Sequence, residues 1–196
     1  MRLAVTGVVV LFLSLAGILS ADPVVNIGSN AVVATGLTPG AKSAWFGLSK
    51  DPDRQPLRIT RSSFVLVADG QGAARLERPD GVLRDSIWIV ADLANGGLTI
   101  TAPSSFKIKE SKIPTAALKH RANGVASRLD LDADDIELFY IRPGVGAWRL
   151  SAGGKLPLDQ MKPVDDSPAP PTDFAAKDLI VAVDPFDLTV RTLQVR

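Results

Sequence analysis

The chain of 196 residues contains no cysteine and a single histidine. The missing thiols exclude a disulfide framework, a thiolate metal site and a cysteine nucleophile. One histidine excludes a metal centre built from several imidazoles. Stability must therefore come from a packed core. Removing the first 21 of 196 residues leaves 175, which is enough, because a chain of about 150 residues buries roughly 70% of the surface that its unfolded form exposes.

The chain also lacks an excess of charge of either sign. It has 22 basic and 21 acidic residues, and loss of Arg2 with the leader described below leaves 21 of each. A neutral chain without a basic run gives no electrostatic reason to bind nucleic acid or an anionic membrane surface. A protein or a glycan is the kind of partner that this composition leaves open.

The only long apolar run lies at the N-terminus. Met1-Arg2 is a short positive segment, residues 3–18 are almost wholly apolar, and Leu19-Ser20-Ala21 ends in small residues. This is the layout of a secretory signal peptide, so we predict cleavage after Ala21 and no membrane span afterwards. The alternative is an uncleaved anchor, for which the run is short. The absence of cysteine and of glycosylation sequons favours a bacterial periplasmic or secreted protein.

Long segments with helical periodicity are absent from the mature chain. Instead, short apolar or alternating runs are separated by turns rich in glycine and proline, which predicts an all-β protein. The strongest strand signal is Asp85–Asp92, and Phe106–Glu110 alternates with a charged face suited to a sheet edge. The proline-rich stretch from Gly153 to Thr172 is predicted to avoid central strands. One short helix is expected near residues 114–122, with Pro114 in its first turn.

A short stretch occurs twice, as Gly70–Leu76 and Gly144–Leu150, and five of its seven positions are identical. Each copy follows an apolar run and predicts a strand, a glycine turn and a return strand. Arg84–Val90 resembles Lys177–Val183, and each is followed by a Leu-Thr-Ile or Leu-Thr-Val strand. Thr38–Ala41 is a weaker match to Ile113–Ala116.

These matches predict an internal duplication with a boundary after residue 102. The organisation is then a signal peptide (1–21), a first β-sandwich module (22–102) and a second (103–196). The alternative is coincidence in a chain rich in alanine, glycine and valine. The repeats leave open whether the halves are separate domains or one shared sandwich.

Asn30–Ala41 resembles the opening of bacterial immunoglobulin-like modules of the TIG or fibronectin type III sort. The resemblance covers a dozen residues. It departs from the fibronectin pattern at Ser43, where those modules usually carry tyrosine. What it implies is a pair of Ig-like sandwich halves and a non-catalytic extracellular module.

An acidic turn contains the best candidate for a metal site, formed by Asp130, Asp132 and Asp134. Carboxylates at alternate positions can converge on a calcium ion. An EF-hand is excluded because its sixth and twelfth positions are Asp135 and Ile141 here. A looser calcium site and a solvated acidic turn remain the two interpretations, and no other cofactor is expected.

No catalytic constellation stands out, so no catalytic residue is assigned. Ser104 and Lys107 have the spacing of a serine–lysine pair, but that mechanism needs a buried lysine and partner motifs that do not follow. The single histidine, His120, lies between Lys119 and Arg121, and no local pattern joins it to a serine and an aspartate. A hydrolase is therefore the least favoured function.

Aromatic residues make up only 6% of the chain, and its three tryptophans are the candidate contact residues. Trp88 lies among Ile87, Ile89 and Val90, which favours burial. Trp148 replaces the alanine of the other repeat copy and is the first candidate for an exposed ligand contact, with Trp45 the second. The sequence thus favours an exported, non-catalytic binding or structural module of the cell envelope or extracellular space. The alternative is a calcium-stabilised adhesion or carbohydrate-binding module.

Overall fold

The computed structural model describes residues 22–28, 30–51, 58–77, 86–103, 106–120, 122, 126–131, 136–152 and 155–196. The predicted leader, Ser104 and Ser105, and residues 132–135 lie outside these ranges. In the described part the chain is all-β, as the sequence predicts, with short 3₁₀ turns at Thr115–Ala117 and Leu158–Gln160 and no α-helix. No helix of this part is long and apolar enough to cross a membrane.

Strands β1 to β7 form the first half of the fold, and strands β8 to β16 form the second. The first half contains β1 (Val24–Ile27), β2 (Ala31–Thr35), β3 (Lys42–Asp51), β4 (Arg58–Val67), β5 (Ala74–Glu77), β6 (Ser86–Asp92) and β7 (Leu98–Thr101). The second contains β8 (Lys109–Lys112), β9 (Leu118–His120), β10 (Ala126–Asp130), β11 (Ile136–Arg142), β12 (Gly146–Ala152), β13 (Lys155–Pro157), β14 (Lys162–Pro163), β15 (Leu179–Asp184) and β16 (Thr189–Gln194).

The strands form four sheets that stack as four layers. Sheet 1 has the order β1-β2-β5, sheet 2 the order β4-β3-β6-β7, sheet 3 the order β14-β12-β11-β15-β16-β8, and sheet 4 the order β13-β10-β9. A first outer core fills the space between sheets 1 and 2, and a second lies between sheets 3 and 4. A central core joins sheets 2 and 3, so both of these sheets are covered on both faces.

The central core explains why the strongest strands are apolar without alternation. Every residue of β6 is buried, and β11 and β15 are buried except at their last residue. Strands covered on both faces have no polar side, so they read as continuous apolar runs. Phe46 of β3 and Phe139 of β11 meet across this core with ring centroids 4.3 Å apart.

Strand β6 of sheet 2 and strand β15 of sheet 3 lie over each other in the central core and run in opposite directions. The segment after β6 meets the turn between β11 and β12, where the Gly144 N–H donates to the Leu93 carbonyl at 2.5 Å. A Cβ built on Gly96 would lie 3.9 Å from Leu179 at the start of β15. The C-terminal end of β6 therefore lies over the N-terminal end of β15.

The two halves share one strand order. Sheets 1 and 2 read β1-β2-β5 and β4-β3-β6-β7, while sheets 4 and 3 read β9-β10-β13 and β12-β11-β15-β16, with β8 and β14 added at the edges of sheet 3. Strands β6 and β15 therefore hold the same place, as the match between residues 84–90 and 177–183 requires. That match is displaced by one residue, because Trp88 and Ile180 both face outer cores although the alignment sets Ile87 against Ile180.

The repeated glycine stretch does not mark equivalent places. Gly144–Leu150 forms the predicted hairpin, in which β11 pairs with β12. Gly70–Leu76 instead leads from β4 in sheet 2 to β5, which pairs with β2 in sheet 1. The return strand of this copy, β5, is therefore present, but the predicted hairpin is wrong, because β5 pairs with β2 in sheet 1 and covers the first outer core. The match between Thr38–Ala41 and Ile113–Ala116 also fails, since the first joins β2 to β3 and the second precedes β9.

The helix predicted near residues 114–122 is wrong. Only Thr115–Ala117 forms a 3₁₀ turn, and Leu118–His120 continues as strand β9. Leu118 is buried and pairs with Leu129 of β10, which is also buried in the second outer core. Pairing in sheet 4 supplies the backbone hydrogen bonds that a second helical turn would have made.

A charged edge strand is present, but its predicted bounds, Phe106–Glu110, are wrong. Strand β8 spans Lys109–Lys112, has all four residues exposed, ends sheet 3 and runs parallel to β16. The proline-rich stretch avoids central strands, as predicted. Pro157 and Pro163 lie in β13 and β14, each the outermost strand of its sheet. Proline is tolerated there because it lacks the N–H that a central strand must donate.

Candidate functional site

Sheet 3 is two strands wider than sheet 2, and the difference creates a groove. Strands β8 and β14 extend sheet 3 at opposite edges, while sheet 2 ends at β7 and β4. Beside β7, the extension leaves a groove of about 720 Å³ between the two sheets. Its wall is formed by Leu98, Thr99 and Ile100 of β7, and its other side by residues of β8 and β16.

Glu110 and Lys112 form the charged floor of this groove. Strand β8 pairs with β16 so that Glu110 lies beside Val190 and Lys112 beside Thr192. Val190 points into the central core, and paired residues of neighbouring strands share a face of the sheet. The two charged side chains therefore face the space beside β7. The Lys112 ammonium donates to the Thr192 hydroxyl at 3.3 Å.

The free edge of β7 carries two contacts from the start of the described chain. The Leu98 N–H donates to the Asp22 carboxylate at 3.0 Å, and the Thr99 hydroxyl donates to the Pro23 carbonyl. A side-chain carboxylate thus satisfies a backbone donor that a further strand of sheet 2 would otherwise use. The asparagine turn before β7 closes one end of the groove through Asn95 and Gly96.

The predicted calcium ligands are placed only in part. Asp130 ends β10, and its carboxylate forms an ion pair with Arg128 at 2.9 Å. Asp132 and Asp134 lie outside the described residues, so the site they would form stays a prediction. Among the residues that are described, no group of three carboxylates or imidazoles is close enough to hold a metal ion.

The tryptophans predicted to contact a ligand are core residues. Trp148 and Trp45 are fully buried, so their assignment as exposed contacts is wrong. Trp148 stacks on Tyr140 with ring centroids 5.1 Å apart and donates its indole N–H to the Pro168 carbonyl at 2.7 Å. Segment 164–178 covers this ring, which the local sequence of β12 does not reveal. Trp88 is buried, as predicted.

The weaker catalytic candidates are not brought together. His120 is exposed at the end of β9. Lys107 is exposed before β8, and Ser104 lies outside the described residues. The described geometry therefore adds nothing to the serine–lysine or histidine alternatives.

A buried polar cluster that the sequence reasoning missed lies at the end of the second outer core. The Asp178 carboxylate accepts hydrogen bonds from the Tyr140 hydroxyl at 2.5 Å, from Arg142 Nε at 3.0 Å and Nη2 at 2.9 Å, and from the Ala175 N–H at 2.6 Å. Arg142 also donates to the Asp173 carbonyl at 2.7 Å. Burial and the bond to Asp178 raise the pKa of Tyr140, and the bond to Asp178 raises the pKa of Arg142.

This cluster is a structural device that fastens segment 164–178 to sheet 3. Its charges are paired and its hydrogen-bonding groups point at one another, which is what a buried ion pair requires. The adjoining cavity of about 10 Å³ is lined by apolar side chains and is too small for a substrate. The only sequence signal was an aspartate directly before a strongly apolar strand.

The other buried carboxylates are also satisfied within the fold. Asp92 accepts hydrogen bonds from the Thr38 N–H at 2.6 Å, the Thr38 hydroxyl at 2.7 Å and the Ala94 N–H at 2.8 Å. Glu137 forms an ion pair with Arg61 that joins sheets 2 and 3. The groove beside β7 is therefore the candidate site with open, charged and accessible groups. Comparisons with family models, curated proteins and solved structures find no match to this chain.

Proposed function

We propose that this protein is an exported, non-catalytic binding module made of two duplicated Ig-like sandwiches, and that its groove holds an extended polypeptide strand. Export rests on residues 1–21, and the periplasm or extracellular space follows from that leader. A calcium requirement stays a separate prediction, which calorimetry with calcium and with chelator tests through the melting temperature.

The strand order supports the Ig-like part of the proposal. When the added strands β8 and β14 are left out of the count, each half has a sheet of its first, second and fifth strands that faces a sheet of its fourth, third, sixth and seventh. Ig-type sandwiches share this distribution of strands between two sheets, with the fourth strand in either one. Trp45 lies buried on the third strand, where many Ig domains carry a core tryptophan.

Two equivalent pairs of residues support the duplication. Gly47 pairs with Trp88 between β3 and β6, and Tyr140 pairs with Ile180 between β11 and β15. In the first half the glycine lies on β3 and the large ring of Trp88 on β6. In the second half the large ring, Tyr140, lies on β11, the equivalent of β3. Two residues further along each pair of strands, Ser49 hydrogen-bonds Ser86 in one half, and Arg142 forms an ion pair with Asp178 in the other.

The proposed binding function depends on a difference between two equivalent strands: β16 has β8 as an outer neighbour, whereas β7 is the last strand of its sheet. Strand β8 pairs in parallel with β16, whereas in the described part of the chain no strand pairs with the free edge of β7, where the Leu98 N–H is held by the Asp22 carboxylate that a bound strand would have to replace. A polypeptide strand bound there would extend sheet 2 as β8 extends sheet 3. Addition of a strand to an open sheet edge is a common mode of peptide recognition, with main-chain hydrogen bonds for affinity and side-chain pockets for specificity.

The groove floor specifies the side chains of such a partner. Residues that are two positions apart in a bound strand share a face, so one side chain lies over Lys112 and the next on that face lies over Glu110. Strand β7 runs opposite to its equivalent β16, and β8 is parallel to β16. A bound strand parallel to β7 therefore runs antiparallel to β8. The favoured partner segment therefore has an acidic residue followed two positions later by a basic one.

Two capped heptapeptides of identical composition test this proposal. Thr-Thr-Glu-Thr-Lys-Thr-Thr has the favoured order, and Thr-Thr-Lys-Thr-Glu-Thr-Thr is the matched control. Titration into ¹⁵N-labelled 22–196 is expected to shift the amide signals of Leu98–Ile100, with a Kd of about 1 mM or below for the favoured peptide and weaker binding for the control.

The double variant Glu110→Lys/Lys112→Glu is expected to reverse the preference between the two peptides, because both side chains are exposed and only the order of the charges changes. Equal binding of both peptides, or shifts confined to residues away from β7 and β8, would refute the groove as the binding site.

A further inference from the structure

The other edge of sheet 2, strand β4, is closed by a segment of the second half. The Val65 N–H donates to the Asp165 carboxylate, and Lys42 of the neighbouring strand forms an ion pair with Asp166. The segment is anchored below by Val164, which is buried in the central core and donates its N–H to the Ala147 carbonyl at 3.0 Å. Residues 164–166 therefore form a strap that rises from sheet 3 and covers the edge of β4.

Strand β4 has the apolar composition of an aggregation-prone edge strand. Its last four residues, Phe64 to Val67, are apolar and uncharged, and Val67 is 62% exposed. A strand of this kind at the end of a sheet offers its unpaired backbone groups to another strand. Sheet 3 ends in the charged strand β8 and the two-residue strand β14, whereas β4 has ten residues and no proline.

The backbone conformation of Asp165 allows its carboxylate to reach the edge of β4. Its φ is 47°, in the left-handed region that aspartate tolerates better than most residues. This conformation turns the chain between β14 and the loop that follows it, and it presents the carboxylate to Val65. A backbone N–H that binds a carboxylate is not available to a second strand.

The geometry points to β4 as a pairing edge for a second copy of this chain, held closed by Asp165. Antiparallel pairing of two β4 strands about Val65 gives each copy the same contacts, as a two-fold dimer requires. In that register Phe64 lies opposite Leu66 of the second copy, and Val65 lies opposite Val65. Apolar residues then meet apolar residues along the centre of the paired segment.

Sedimentation velocity of the wild type and three folded variants tests the proposal, over about 1 to 100 μM protein, a range that resolves micromolar affinities. Wild-type 22–196 is expected to remain monomeric. Asp165→Ala is expected to form dimers, with faster hydrogen exchange of the Val65 amide. Asp159→Ala is the matched control, since it removes an exposed aspartate from the preceding 3₁₀ turn and should stay monomeric. Asp165→Ala/Val67→Lys is expected to restore the monomer, because a lysine on the exposed edge opposes pairing.

A second variant guards against loss of folding in Asp165→Ala. Asp166→Ala removes only the exposed ion pair with Lys42, so we expect the same dimer at higher protein concentration. The proposal is overturned if Asp165→Ala is folded, exchanges the Val65 amide faster and yet stays monomeric. Open-ended aggregates in place of a dimer, or a dimer that persists with Val67→Lys, would also overturn it.

Discussion

Tyr140 is the only tyrosine of the chain, and its hydroxyl is sealed inside the second outer core. It donates to Asp178, stacks on Trp148 and meets Phe174 edge-on. Ionisation would place a negative oxygen next to a carboxylate at a buried position, so burial and the Asp178 bond raise the pKa of Tyr140 above its ordinary value of 10.0. This side chain is therefore a spectroscopic probe of a single buried place.

We predict that native protein shows no tyrosinate absorbance at 295 nm near pH 10, and that the signal appears only with alkaline unfolding. Because the folded pKa is raised, the contribution of Tyr140 to stability is complete below pH 10. It is lost above pH 10 at about 1.4 kcal/mol per pH unit, where the unfolded chain releases its proton first. Protein in guanidinium chloride supplies the control and should titrate near pH 10. A native titration near pH 10 would show that the hydroxyl is accessible.

At the scale of strands, the two halves pack a large aromatic ring at the same place in the fold but from different strands. Gly47 leaves room for the ring of Trp88, and a Cβ added to Gly47 would approach Trp88 Cη2 to 2.7 Å. In the second half the large ring, Tyr140, lies on the central strand, and Ile180 opposes it. The large ring thus changes strand between the two halves, a rearrangement of the kind that cores tolerate when neighbouring side chains repack.

We predict that Gly47→Ala destabilises the protein by about 1–3 kcal/mol, because the Trp88 ring is buried and cannot move away from the new methyl group. Urea unfolding measures the loss. Gly70→Ala is the matched control, since a Cβ there meets nothing within 4 Å, and its effect should stay within about 0.5 kcal/mol. The double variant Gly47→Tyr/Trp88→Ile, which copies the other half, should be more stable than Gly47→Tyr alone. Additive effects would contradict the proposed equivalence.

At the scale of the whole molecule, the central core makes each half depend on the other. Sheets 2 and 3 bury residues such as Phe46, Ile89, Phe139 and Val181 against each other. The Arg61–Glu137 ion pair and the Gly144–Leu93 hydrogen bond close the edges of this contact. A half expressed alone would expose the entire apolar face of its inner sheet, which is far larger than a soluble monomer carries.

We predict one cooperative transition for 22–196 in calorimetry, with equal calorimetric and van't Hoff enthalpies. The fragment 22–102 is expected to lack a cooperative transition or to associate through its exposed sheet 2. Two resolved transitions for 22–196 would contradict the coupling, as would a monomeric, cooperatively folding fragment 22–102.

The sequence predicted most strands because their signals are local. Val24–Ile27, Ala31–Thr35 and Leu98–Thr101 are strands that lie between turn residues of the sequence. Glycine and proline mark turns through their own backbone preferences, so such boundaries need no knowledge of the fold. Strand β4 is longer than its local signal indicates, because its middle residues are polar although pairing with β3 runs through them without a break.

Composition and period-two patterns are properties of a short stretch of chain, so the residue order predicts the all-β class, the turns, the near balance of acidic and basic residues and a charged edge strand. The burial of Trp148, the strand at residues 118–120 and the difference between the two glycine stretches arise from packing between sheets. The groove beside β7 and the strap over β4 have the same origin. Each of these depends on which sheet lies against which face, and that choice is made by contacts between residues far apart in the chain.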